Sequence, residues 1–209
     1  MTLLNRRRVL LSLNKGILPQ TYKQVEYIEG TGTQWIDTGI IANCDTKVDV
    51  DFQLTEITAS FIFGSRAGTN KNAYTLNVNS EGIRKTYYGS GNCDVCTADT
   101  NRHVVMKNHR TIYLDGVFVY QLTKREFTTP GTLELFACYN NGTKGYLPSK
   151  MKLYSCAIFD GVDEATRTPL RNFIPCYRKA DKVGGLYDTI SGEFFENQGT
   201  GQFKIGGEV

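Results

Sequence analysis

The sequence predicts an all-β protein built as an antiparallel two-sheet sandwich, on three observations. Helical periodicity almost vanishes after Pro19. Short runs rich in Val, Ile, Phe, Tyr and Thr recur instead, separated by clusters of Gly, Asn and Asp, the pattern of strands and turns. The run TKVDVDFQL alternates cleanly, with Val48, Val50, Phe52 and Leu54 on one face and Lys47, Asp49, Asp51 and Gln53 on the other. That period of two belongs to a strand with one side in a core and one side outside.

The elements follow in order. The opening stretch QVEYIEGTGTQWIDTGI, Gln24 to Ile40, carries a glycine-threonine repeat. A phosphate cradle leads from a strand into a helix, whereas here a second strand follows, so Gly30 and Gly32 read as a corner free to take positive φ. The closing NQGTGQFKIGG repeats the style, and the two segments are expected to meet as neighbouring strands, with Trp35 a packing residue. Between them, FIFGSRAG runs into YTLNVN. HVVMKNHRTIYLDGVFVYQL then reads as three strands, turning at Lys107–Asn108 and, in type I′ fashion, at Asp115–Gly116. TLELFACYN and KMKLYSCAIFD are joined by the polar loop NNGTKGYLPS. VDEATRTPLRNF reads as a short helix or turn before glycine-rich strands close the chain. With about twelve strand segments and no internal linker, residues 21–209 are expected to form one domain behind an arm of residues 1–20.

Composition narrows the function. Of the 209 residues, 40% are hydrophobic and 22% charged, ordinary values for a globular chain. Residues 1–25 hold Arg6, Arg7, Arg8, Lys15 and Lys23 and no acid; subtracting that +5 from the net +3 leaves −2 for residues 26–209. The basic character therefore belongs to the arm, which argues against a nucleic-acid-binding body. The arginine triplet is followed by VLLSL, only five residues, against the roughly 7–15 apolar residues of an export signal. No run approaches the ~20 apolar residues of a membrane span. As a helix the arm would place Leu3 and Leu10, or Leu4 and Leu11, on one stripe suited to assembly; the alternative is a frayed extended terminus. Six cysteines without an export signal are expected as free thiols. Cys138 and Cys156, in apolar strands, read as small buried hydrophobes.

HVVMKNHRTIYLDGVFVY, SKMKLYSCAIFD and the outer segments VEYIEGTGTQWIDTGI and FIPCYRK…VGGLYDTISGEFFENQGTGQF together carry a resemblance. The chain resembles, over about residues 20–207, the laminin-G-like, concanavalin A-like jelly rolls found in phage and prophage proteins of gut bacteria. The resemblance implies a jelly roll whose concave face or rim loops bind glycans. It further implies a non-enzymatic virion component, a fibre, head decoration or tail-tip adhesin, assembled in the host cytoplasm. Such proteins are commonly trimeric, and the arm would join other virion proteins. A bacterial surface or secreted carbohydrate-binding module is the alternative reading, and a glycoside hydrolase of the same fold a third.

The chain holds candidate residues for four kinds of chemistry. Hydrolases of this fold space carboxylates by two along a strand, as Glu-x-Asp-x-Glu, so that a nucleophile and an acid share a face. Asp49 and Asp51 have that spacing, but Lys47 and Gln53 share their face, which reads as a solvated outer surface. Zinc would draw on Cys93, Cys96, His103 and His109, although the six residues between Cys96 and His103 fall well short of the ~12 of zinc fingers. Calcium would draw on Asn92, Asp94 and Asp99, expected in one loop; neither metal is assigned and no cofactor is expected. Glycan recognition uses aromatic faces with Asn and Arg donors. Its candidates, several of them beside expected turns, are Arg66, Tyr74, Tyr87, Tyr88, Tyr139, Asn140 and Tyr146.

Overall fold

A computed structural model describes residues 18–163 and 167–209, and among them there are strands and turns but no helix. The first strands are β1 (Tyr22–Gln24), β2 (Ile28–Thr31), β3 (Ile36–Asn43), β4 (Thr46–Leu54), β5 (Ser60–Arg66) and β6 (Ala73–Val78). Next come β7 (Ile83–Gly89), β8 (Gly91–Thr97), β9 (Arg102–Asn108), β10 (Thr111–Leu114), β11 (Val117–Gln121) and β12 (Thr128–Leu135). The chain continues through β13 (Cys138–Asn140), β14 (Thr143–Tyr146), β15 (Lys150–Asp160) and β16 (Thr168–Arg178). It closes with β17 (Gly184–Asp188), β18 (Glu193–Phe195) and β19 (Lys204–Ile205).

These strands make two sheets. The larger has eleven strands along the path β11-β10-β9-β4-β15-β16-β17-β18, with β1 on β16 and β2 between β15 and β19. The smaller has eight, along β14-β13-β5-β6-β7-β8, with β12 joining β3 to β5. Pairing is antiparallel except between β13 and β5, which run parallel because the chain doubles back after Leu135. The hairpin β13–β14 thereby lies beside β5 and reaches back over β12, where the Gly145 N–H donates to the Glu134 carboxylate at 2.9 Å.

The core lies between the sheets and follows the alternation. Val48, Val50, Phe52 and Leu54 of β4 are at most 1% exposed, as are Tyr74 and Leu76 of β6. Their neighbours point the other way. Polar atoms cross the core as well: the Tyr74 hydroxyl is shared between Thr46 O at 2.8 Å and Lys107 O at 3.0 Å. In return Lys107 Nζ, fully buried, donates to Thr86 Oγ1 at 2.7 Å and to Tyr87 O at 2.6 Å on the smaller sheet. A buried polar group tolerates removal from water only when such partners are present.

The two glycine-threonine segments meet as expected. β19 pairs with β2, Gln34 Nε2 donates to Thr200 O at 3.1 Å, and the Trp35 N–H donates to Asn197 Oδ1 at 3.0 Å. Trp35 is half-buried between backbones: a Cβ on Gly145 would lie 2.6 Å from its Nε1, so only glycine lets the hairpin come that close. Of the corner glycines, Gly32 takes φ +100°, but Gly30 does not; it is a strand residue kept bare by Phe136. Asp115 and Gly116 both have positive φ, the requirement of the type I′ turn.

Two expectations change. The turn after β9 centres on His109, at φ +53°, one residue beyond the predicted pair. The segment read as a helix or turn is a strand from Thr168 onward, because β16 is paired on both sides and tertiary pairing overrides the local signal; residues 164–166 lie outside the described residues. The predicted arm, up to residue 17, lies outside them too. All six cysteines are free, with Cys138, Cys156 and Cys176 buried.

Candidate functional site

The outer face of the smaller sheet gathers most of the predicted sugar-binding residues. In β6, Tyr74, Leu76 and Val78 belong to the core, so Thr75 and Asn77 face outward. In β7, Arg84, Thr86 and Tyr88 turn inward, which leaves Lys85 and Tyr87 outside. The register then sets rows across the sheet. Phe61 stands opposite Asn77, Asn77 opposite Lys85, and Lys85 opposite Asp94; in the next row Thr75 stands opposite Tyr87, and Tyr87 opposite Asn92.

Arg66 closes one side. Its guanidinium carbon lies 4.8 Å from the Phe61 ring centroid and 5.6 Å from that of Tyr146, and its Nε donates to Asn140 Oδ1 at 2.8 Å. Two rings and an amide therefore fix the plane of the guanidinium, while its terminal nitrogens find no acceptor among the described residues. Tyr87 stands half-buried on the other side. Asn77 lies between Phe61 and Lys85, one row from Tyr87, and is 7% exposed; its Oδ1, like the Oγ1 of fully buried Thr75, lacks a hydrogen-bond partner among the described residues. Unsatisfied polar atoms at a buried position cost about 1–3 kcal/mol each, which makes the one on Asn77, at the edge of the surface, informative. Lys85 pairs with Asp94 at 3.1 Å, and this contact holds the lysine in its charged form above the usual range.

The rows continue into a cleft. Asn92 Nδ2 donates to Asn70 Oδ1 at 3.0 Å, and Asn70 lines an open cleft of about 400 Å³ together with Lys71, Asn72, Ser90, Arg125 and Phe127. Three loops distant in sequence build it: residues 70–72, 89–90 and 124–127.

Tyr74 and Tyr88 leave the candidate set. They are 0% and 1% exposed, and their hydroxyls are bound to backbone carbonyls, Tyr88 to Cys44 O at 2.9 Å. The cause is the period of two: Tyr87 and Tyr88 are adjacent and so must face opposite sides. Tyr139 is a packing residue, since its ring lies over Gly131 so closely that a Cβ there would sit 2.7 Å away. Arg66, Asn140 and Tyr146 are brought together, Tyr87 shares their face two strands away, and Asn77, Lys85 and the cleft are additions that the residue pattern alone did not single out.

The other chemistries fare differently. Asp49 and Asp51 are not on a solvated surface: Asp51, 4% exposed, receives Arg102 Nε at 2.8 Å and Nη2 at 2.9 Å, and Asp49 pairs with buried Lys47 at 3.0 Å. Cations neutralise both carboxylates. Asn92 and Asp94 sit on β8, not in a loop, and Asp99 lies 2.8 Å from His103 Nε2. His103 Nδ1 faces Asp115 at 2.7 Å, and His109 Nε2 lies 2.8 Å from Gly161 O. Among the described residues no three His, Cys, Asp or Glu side chains are grouped to hold a metal ion. No helix among them is long and apolar enough to cross a membrane.

No protein-family model matches the chain, and no curated protein matches it in sequence. Among solved structures, the CBM40 of the Ruminococcus gnavus IT-sialidase is similar at 12% identity and a TM-score of 0.45, covering 72% of this chain and 96% of that one. The same module bound to alpha2,3 sialyllactose is similar at 13% identity and a TM-score of 0.40, covering 66% of this chain and 91% of that one.

Proposed function

We propose that the chain is a non-enzymatic glycan-binding module whose outer face on the smaller sheet holds the sugar. The observation that carries this reading is Asn77: a nearly buried amide, its Oδ1 unpartnered among the described residues, standing opposite Phe61, on which the Arg66 guanidinium stacks together with Tyr146, and one row from Tyr87. A pyranose offers apolar C–H surface to Tyr87 and hydroxyls to Asn77 and Arg66, the pairing such sites use. A glycan array probed with the full chain tests the reading. Binding to at least one class of oligosaccharide is expected, and a blank array across neutral and acidic classes would overturn it.

The sequence resemblance supports a second, compatible reading, in which this module is a phage virion component joined to other particle proteins through residues 1–20. That reading expects a multimer, such as a trimer, whose mass in solution collapses to one chain when residues 1–20 are removed. A full chain that already sediments as a monomer contradicts it.

A further inference from the structure

The sugar face runs into a cleft of different electrical character. It carries Lys71, Lys124 and Arg125 against a single carboxylate, Glu126. Glu126 is already engaged, by Lys124 Nζ at 3.4 Å and by the Cys44 thiol, which donates to Oε2 at 3.0 Å. Lys71 and Arg125 have no carboxylate at ion-pair distance among the described residues. Residues 26–209 are net −2, so this positive spot is local.

The cleft is also built to hold Arg125 in place. Gly89, at φ +63°, and Gly91 leave room for the arginine stem on the β7–β8 turn: a Cβ on Gly89 would lie 3.2 Å from Arg125 Cδ, and one on Gly91 3.5 Å from Arg125 Nε. The same Gly89 Cβ would lie 3.1 Å from Phe127 Cδ1. Phe127 in turn packs edge-on against Tyr88, centroids 4.9 Å apart at 88°, so the floor is tied to the core. Asn70 and Asn72, at φ +56° and +44°, shape the facing wall.

We propose that this cleft recognises an anionic group, a carboxylate or a sulfate, on a glycan laid across the sugar face, so that the chain selects acidic over neutral glycans. The inference rests on the sugar-face reading above. A guanidinium offers a planar two-donor edge to a carboxylate and charge-assisted hydrogen bonds to either anion, and Lys71 adds a point charge. Arg66 cannot be the selective group in this scheme, because its hydrogen bond to Asn140 and its stacking place it among the residues that hold the sugar itself.

The test titrates the full chain with oligosaccharides ending in a uronic or sialic acid, with their carboxyl-reduced neutral counterparts, and with sulfated counterparts. The acidic forms are expected to bind about tenfold tighter than the reduced ones, with the advantage shrinking as salt is added. Arg125→Ala is expected to abolish that advantage and leave neutral affinity within about twofold. Arg66→Ala weakens acidic and neutral forms alike. Tight binding of both anions assigns the cleft to charge, and of the carboxylates alone to planar pairing. Equal affinity for acidic and neutral forms, or an acid preference that survives Arg125→Ala, overturns the inference while the sugar face stands. Failure of every oligosaccharide to bind overturns both.

Discussion

Lys107→Met is expected to make the protein more stable than the native chain at pH 6 and less stable at pH 9. Lys107 is 0% exposed, and burial pushes its ammonium down to about 7. In the unfolded chain the same amine titrates near 10.5. Between those values unfolding takes up a proton, so the native chain gains stability as pH rises, by up to about 1.4 kcal/mol per pH unit. Below pH 7 both states are protonated, and the full cost of a buried cation remains. Methionine fills similar volume without charge, and exchanging buried charge for an apolar side chain is often neutral or stabilising. Above pH 7 the neutral amine keeps its hydrogen bonds to Thr86 Oγ1 and Tyr87 O, which methionine cannot make. The thiols of Cys138, Cys156 and Cys176, all pushed up by burial, add an opposite alkaline slope shared by both proteins. The difference between the two denaturant midpoints, converted to free energy, therefore isolates Lys107. It should swing by about 2–3 kcal/mol from pH 6 to pH 9; a constant difference contradicts the assignment.

Glu134→Gln carries the opposite signature. Glu134 is 0% exposed on the outer side of β12, beneath the hairpin; Oε2 accepts from Gly145 N–H and Oε1 has no hydrogen-bond partner among the described residues. Burial, with the Asp37 carboxylate directly opposite on β3, raises it to about 7 from 4.5. Its contribution is complete below about pH 4.5 and is lost as pH rises through 7, because the folded state then holds a proton that the unfolded state has released. Glutamine removes both the charge and the repulsion from Asp37. The variant is expected to match or trail the native chain at pH 4 and to exceed it by about 1–2 kcal/mol at pH 8. Thermal unfolding at the two pH values checks this, and a gain that is larger at pH 4 would contradict it.

The fold was legible where local chemistry and tertiary pairing agree. The alternation of TKVDVDFQL becomes β4 at the centre of the larger sheet, and Asp115–Gly116 takes the turn its residues demand. The two glycine-threonine segments meet where Gly199 of the closing one, lacking a Cβ, lies against Thr33 O and the Trp35 ring of the opening one. Thr168–Phe173 was misread because its proline and arginine resemble loop chemistry, and only pairing with β15 and β17 makes it a strand.

The site was legible in part. Tyr87 and Tyr88 are equivalent as letters beside a turn, and extending the alternation from Tyr74, Leu76 and Val78 through the β6–β7 register would have separated them. Tyr139 needed knowledge of the hairpin that folds over Gly131, a long-range contact. The cleft had no sequence pattern to find, since its loops lie far apart along the chain and only the sheet ends bring them together. The paired state of Asp51 likewise depends on Arg102, fifty-one residues away.

The most direct measurement of the central claim is a titration of ¹⁵N-labelled protein with the tightest-binding oligosaccharide from the array, alongside Tyr87→Ala by calorimetry. Shifts confined to the outer face, at Thr75, Asn77, Tyr87, Asn92 and the Asn140 hairpin, together with an affinity loss of about tenfold or more in Tyr87→Ala, are what the outer-face site predicts. Shifts centred on the larger sheet, with full affinity retained in Tyr87→Ala, would contradict it.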